Sequence, residues 1–234
     1  MKLNYLSTYY DHILGDDDGT QLYVNYLKDE IEFPLLEVAC GTGHLLAQLT
    51  HTDQYSVGLD LDYQMLSQAI QHAPQIHWFQ ADMRNFDLHE QFASILCVGD
   101  SLNYLPLPEV FQTLEQMDKH LLDHGKMIID LHHPFRLKEF VDPFIEEGVI
   151  HSQLFYQWTI ASDHDQLVHT FHFFDDYGHL LDEQMVQQYV HLAHPVLKWF
   201  QEHGYHVEYN QDFGLPVKAE GEKIFVLARK GEKV

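Results

Sequence analysis

The stretch LLEVACGTGHLLAQL, residues 35–49, sets Gly41 and Gly43 between an apolar run and a run of helical periodicity. Glycines at such a junction let the backbone pass close beneath a ligand, and this spacing points to a nucleotide-like cofactor lying on the chain. Three more signals follow, each just after an apolar segment. Asp60 closes YSVGLD and offers a carboxylate that can accept both hydrogen bonds of a ribose diol. Asp82 and Met83 stand after IHWFQ, in ADMRNF, where a carboxylate and the next backbone N–H can read an adenine edge. Asp100 stands after FASILCVG, in GDSLNYLP. A dinucleotide fingerprint needs a third glycine where this chain has Leu46, and no basic residue is near. A cofactor without phosphates therefore fits better.

These residues need strands to carry them. LLEVA (35–39), YSVGL (55–59), IHWFQ (76–80), FASILCVG (92–99) and KMIIDL (126–131) read as buried strands. Between them GHLLAQL starts a helix, DYQMLSQAIQHA (62–73) is a helix with Asp62 as N-cap, and 107–122 is a helix stopped by Gly125. A helix over 21–31 precedes them, with Leu22, Tyr23, Tyr26 and Leu27 on one face. The GDDDG before it places three aspartates where a helix dipole favours them. Strands alternating with helices imply a parallel sheet covered on both faces, with ligands in the crevice beyond the C-terminal strand ends. After residue 133 the pattern changes. HSQLFYQWTIA, QLVHTFHFFDD and HLLDEQMVQQYVH, separated by SDHD and DYGH, read as an antiparallel meander. A helix over 193–203, ended by Gly204, and strands near 205–213 and 223–229 complete the chain.

VACGTG, GLDLDYQML and ADMRNF together resemble the class I S-adenosylmethionine-dependent methyltransferases. YYDHI, DSLNYLP and IDLHHPF look like a subgroup of small bacterial methyltransferases similar to sugar N-methyltransferases. The resemblance implies an α/β, Rossmann-like, seven-stranded, mostly parallel sheet with helices on both faces and an inserted antiparallel β meander. It implies one methyltransferase domain over 1–234, with 134–191 as an insertion serving as lid or dimer element. The implied cofactor is S-adenosylmethionine. Gly41 and Gly43 would pass beneath its methionine part, with Glu37, Ala39 and Cys97 nearby and residues 97–100 lining that side. Asp60 would hold the ribose hydroxyls, Leu61 and Met65 would pack near the adenosine, and Asp82 and Met83 would address the adenine. Glu37 departs from the family, which more often has Asp there, but it still offers a carboxylate.

A sulfonium methyl is already activated, so alignment of a nucleophile can supply much of the acceleration. A base is needed only if the acceptor must lose a proton near the transition state. Tyr10 either closes over the cofactor with the N-terminal segment, as in similar enzymes, or packs that segment down. Asp100 either positions an acceptor amine or caps a turn with Ser101; Asn103 and Tyr104 share its loop. His132 and His133 follow strand five, and adjacent residues of an extended chain point apart, so one of them, His132, enters the site. Phe155, Tyr156, Trp158, Phe171, Phe173 and Phe174 supply an acceptor wall, a dimer contact or core. His169 and His172 read as surface or half-buried strand residues, and no residue is assigned to a metal.

The chain has 234 residues, 45% of them apolar, and a formal charge of −23. That charge repels a phosphate backbone unless a basic patch intervenes, and Arg84, Arg136, Lys138, Arg229 and Lys230 are scattered. No apolar run is long enough to span a membrane. Two cysteines, Cys40 and Cys97, in apolar strand-like segments read as buried free thiols in a reducing cytoplasm. The expected protein is a cytoplasmic monomer or homodimer that methylates nitrogen or oxygen of a small-molecule acceptor. The alternatives are a methyltransferase for RNA or protein, a non-catalytic sensor of the same cofactor, and, more remotely, an NAD-dependent dehydrogenase.

Overall fold

In a computed structural model, residues 5–15 and 17–231 are described. Two short helices, α1 (Tyr5–Thr8) and α2 (Tyr10–Ile13), lead into α3 (Asp17–Leu27). The alternating part follows as β1 (Leu35–Val38), α4 (His44–Leu49), β2 (Ser56–Asp60), α5 (Tyr63–His72), β3 (His77–Gln80), β4 (Phe92–Cys97), α6 (Leu107–Lys119) and β5 (Leu121–His132). Then come α7 (Arg136–Glu139), β6 (Phe144–His151), β7 (Leu154–Asp163), β8 (Gln166–Phe174) and β9 (Leu180–Tyr189). The chain closes with α8 (Ala193–Glu202), β10 (Tyr205–Gln211) and β11 (Lys223–Lys230).

Seven strands form one sheet in the order β10-β11-β5-β4-β1-β2-β3. The pairs among β3, β2, β1, β4 and β5 are parallel, while β11 runs antiparallel to both β5 and β10. Side chains alternate across this sheet, as a pleat buried on both faces requires. Leu36, Val38, Ile95, Cys97, Met127 and Ile129 join the core on one face, under α6 and α8. Leu35, Leu96, Ile128 and Phe225 join the other, with Leu46 and Leu49 of α4 and Leu27 of α3. Strand order reverses between β1 and β4, so the crevice belongs beyond Val38 and Cys97.

A separate four-stranded antiparallel sheet has the order β6-β7-β8-β9. The sequence pattern missed β6, whose exposed residues alternate with half-buried ones, so it lacks a continuous apolar face. Helix α6 ends at Lys119 rather than near Gly125. His120 is its C-cap; the His120 ring bonds the Gln116 carbonyl at 2.8 Å and the Leu88 N–H at 3.2 Å. Leu121 already pairs with Phe92, and the next pair is Lys126 with Ser94, so residues between loop out. Helix α3 spans Asp17–Leu27, earlier than expected. Leu22 is exposed, while Tyr23 and Tyr26 pack on Phe213 and Phe225. Asp17 and Asp18 occupy its first turn, and Asp16 lies outside the described residues.

Candidate active site

A cleft of about 740 Å³ opens at the switch point, floored by strand ends and roofed by α1 and α2. Glu37, Ala39, Gly41, Asp60, Leu61, Met65, Asp82, Met83, Asp100 and Tyr10 all line it, as does Tyr104. Two residues after β1 and β4, Ala39 (φ 57) and Asp100 (φ 64), are non-glycines in the left-handed region. Backbone strain of this kind collects at ligand sites and persists only where surrounding structure holds it.

The turn after β1 is organised by Asp60. One of its oxygens accepts the Gly41 N–H at 2.8 Å and the other the Asp62 N–H at 2.8 Å. Asp62 in turn caps α5 through the Gln64 N–H and accepts Ser7 Oγ at 2.5 Å, which ties the roof to the floor. Gly41 has φ 55, and a Cβ built there meets nothing within 4 Å; the same is true of Gly99. Both leave open space above bare backbone. Gly43 serves differently: it is buried, and a Cβ there would sit 2.5 Å from Trp78 Cη2. Packing and a φ of 77 demand that glycine, and it does not line the cleft.

Glu37 is buried on β1, and its Oε2 has no hydrogen-bond partner. Burial raises its pKa from 4.5 to about 8, and Asp60 adds to the rise. An enclosed carboxyl with an open valence at the cleft wall suits a cationic ligand group. Asp82 is bidentate to Arg84, at 2.9 Å and 2.5 Å, and Arg84 also holds Glu109 at 2.6 Å. Asp82 therefore reaches the cleft already paired.

On the β4 side the carboxylate of Asp100 is bound by Lys223 Nζ. Lys223 Nζ also lies 3.6 Å from Asp130, which is fully buried on β5 and accepts Tyr23 Oη at 2.5 Å and the Gly99 and Asp100 N–H groups at 3.0 Å. Burial alone would raise Asp100, but Lys223 outweighs it and holds the carboxyl below its ordinary range. Tyr10, half-buried opposite, is pushed up to about 12 by burial and by the carboxylates of Asp100, Asp11 and Asp60.

His132 is buried behind the cleft rather than on its wall, with Nδ1 3.4 Å from Asp100 and Nε2 2.9 Å from Gln188 of β9. Burial lowers its pKa, so the ring is neutral near pH 7. His133 bonds the Lys218 carbonyl at 3.2 Å and accepts the Phe135 N–H. Asn103 is buried and joins the Tyr189 carbonyl to the His132 N–H. Cys97 is wholly buried among core residues and does not line the cleft. Tyr156, Phe171 and Phe173 are core of the second sheet, with Trp158 packed on them, and Val186 is its lining residue in the cleft.

Lys223, Asp130 and Arg84 were absent from the sequence-based set. Asp130 carried a signal, a charge inside the apolar run KMIIDL. Lys223 carried none until β11 is seen to pair antiparallel with β5, with Lys223 opposite His132.

Comparison with known proteins follows the same floor. A family described as a methyltransferase domain matches residues 35–125, which contain all four strand-end signals. The methyltransferase candidate YqeM of Bacillus subtilis (strain 168) is 30% identical over 146 residues, covering 60% of this chain and 59% of that protein. The dTDP-3-amino-3,6-dideoxy-alpha-D-glucopyranose N,N-dimethyltransferase of Streptomyces fradiae is 33% identical over 97 residues, covering 41% of this chain and 38% of that one. Less than two thirds of either relative's length is spanned. A S-adenosylmethionine-dependent methyltransferase of Clostridium acetobutylicum ATCC 824 shares the fold, with a TM-score of 0.81 over 98% of this chain and 99% of that one, at 19% identity. The bare glycine floor and the orphaned carboxyl of Glu37 fit that cofactor's bulk and its ammonium. Residues 35–125 are thus similar to a methyltransferase domain, and the seven-stranded fold that carries them is the one found in an S-adenosylmethionine-dependent methyltransferase.

Proposed function

We propose that the protein transfers a methyl group from S-adenosylmethionine to an amine of a small-molecule acceptor, an amino sugar being the first class to test. The cofactor supplies a methyl already activated on a sulfonium. Gly41 and Gly99 leave room for it, Glu37 holds its ammonium, and Asp60, by anchoring Gly41 and Asp62, keeps the floor in shape. Leu61 and Met65 offer apolar surface, and Asp82 and Met83 stand at the far end.

The single observation that carries the acceptor class is the charge of the cleft. Asp11, Asp60, Asp62, Asp82 and Asp100 line it against Arg84 and Lys223, and both cations are bound to carboxylates. Such a lining attracts an amine and repels phosphate. Asp100 stays ionised beside Lys223 and is a weak base; Tyr10 stays protonated to about 12. They orient the amine, and orientation rather than proton removal is what these residues contribute. Residues 134–191 serve as the cover of the acceptor side: Gln188 and Tyr189 bond His132 and Asn103 directly behind Asp100.

Calorimetric titration with S-adenosylmethionine and its demethylated product, with NADH as control, tests the cofactor site. Both methyl-cycle ligands bind and NADH does not. Asp60→Ala, which releases two backbone N–H groups, lowers both affinities by about 10-fold or more, the equivalent of one or two charge-assisted hydrogen bonds. Unchanged affinity in that variant would place the cofactor elsewhere. Methylation of amino sugars, and none of RNA, tests the acceptor.

A further inference from the structure

At the mouth of the cleft, Asp11 of α2, His44 at the start of α4 and His72 at the end of α5 each offer one ligand atom, all within 4.8 Å of one another. We propose that these three residues bind a divalent transition ion, Zn2+ first, and that the ion latches the N-terminal segment over the cleft.

The donor set is two imidazoles and one carboxylate, which suits a borderline-soft divalent ion and leaves a fourth position for water. His44 Nε2 is already 3.0 Å from Asp11 Oδ2. Tetrahedral zinc with bonds of about 2.0–2.1 Å needs donor separations of roughly 3.4 Å, so that edge of the site is nearly formed. The His44 and His72 rings stand 4.4 Å apart between centroids. His72 is exposed, and its ligand atom lies within 4.8 Å of the other two, so a shift of at most about 1.4 Å closes the site to the separation zinc requires. Thr42 orients the set: its hydroxyl donates to Asp11 Oδ1 at 2.7 Å, which leaves Oδ2 for the ion. Its carbonyl lies 3.4 Å from His72 Nδ1. Outer contacts of this kind hold ligands in place at metal sites.

The ion would join α2, α4 and α5, adding to the hydrogen bonds that Thr42 and His44 already make to Asp11. Asp11 adjoins Tyr10 on the roof, while Thr42 and His44 follow Gly41 on the floor. Metal binding rests on these side chains alone; the latching role rests on the reading of the cleft as the cofactor site.

The test uses the tag-free full chain, because nineteen histidines already compete for metal. Zn2+ is titrated by calorimetry and Co2+ by its visible absorption, which reports four-coordinate geometry without any cofactor. The wild-type chain takes up one ion with a tetrahedral Co2+ spectrum. His72→Gln weakens binding by at least about 10-fold, the least that loss of even an outer partner costs. The same variant keeps its metal-free affinity for S-adenosylmethionine, because His72 does not line the cleft. Zn2+ slows hydrogen exchange of α1 and α2 in wild type and not in His72→Gln. Equal binding by wild type and His72→Gln, or no saturable uptake by wild type, overturns the site. Uptake lost in the variant without slowed exchange of α1 and α2 overturns the latch. Failure of S-adenosylmethionine to bind a chain that shows the Co2+ spectrum would refute the cofactor site and leave the metal site standing.

Discussion

Glu37 carries a proton in the folded, cofactor-free chain over a range where the unfolded chain has lost it, because burial raises its pKa from 4.5 to about 8. The folded state binds more protons there, so this residue's contribution to stability is full below about pH 4.5 and falls as pH rises through about 8. Glu37→Gln removes that slope, which thermal melts of the free protein at several pH values will show as a flatter profile. An ammonium beside Glu37 reverses the preference and ionises it, so binding near pH 7 releases a proton. Calorimetry in two buffers of different ionisation enthalpy measures that release, and Glu37→Gln abolishes it while weakening affinity about 10-fold. The two glycines of GTG separate in the same manner. Gly43→Ala drives a methyl into Trp78 and is expected to lose about 2–4 kcal/mol in urea denaturation, combining overpacking with a disfavoured φ. Gly41→Ala meets open space, so it costs stability only through its φ, and its larger effect is on cofactor affinity.

At the scale of elements, α5 is the hub between floor and roof. Its N-cap Asp62 accepts the Gln64 N–H at 2.7 Å and Ser7 Oγ at 2.5 Å, and Gln68 Nε2 donates to the Ser7 carbonyl at 3.0 Å. Asp62→Ala is expected to cost about 1 kcal/mol of stability through the lost cap. It also frees α1, which hydrogen exchange will register as faster exchange in residues 5–8, well beyond the change in α5 itself. If α1 is unaffected, the cap and the roof are independent. The antiparallel sheet meets the cleft through Val186, while its aromatic residues pack against one another and Ile13. It also reaches the residues behind Asp100, through Gln188 on His132 and Tyr189 on Asn103.

Over the whole molecule a formal charge of −23 meets a cleft whose cations are already paired. No described helix is long and apolar enough to cross a membrane. Filter binding is expected to show no tight, salt-sensitive RNA affinity, since phosphate contacts require free cationic side chains in numbers. A steep salt dependence would mean that an arginine or lysine set outside the cleft had been assembled.

The amino-acid sequence determined the parallel sheet, its helices and the order of the strand-end signals, because buried strands and amphipathic helices leave local periodicities. Gly41, Asp60, Asp82 and Asp100 were legible for the same reason: each follows directly on an apolar run, and strand ends are where a crevice forms. The strand β6 and the end of α6 were not legible, since an edge strand with one weakly apolar face and a helix capped by His120 lack the usual signs. Tertiary structure alone decided the rest. It brought Lys223 beside Asp100, more than a hundred residues away, by pairing β11 antiparallel to β5. It put Cys97 in the core and Gly43 against Trp78, because the pleat turns one face of β4 inward and β3 packs its tryptophan over the turn. It also gathered Asp11, His44 and His72 from three helices into one corner, a proximity that no spacing along the chain encodes.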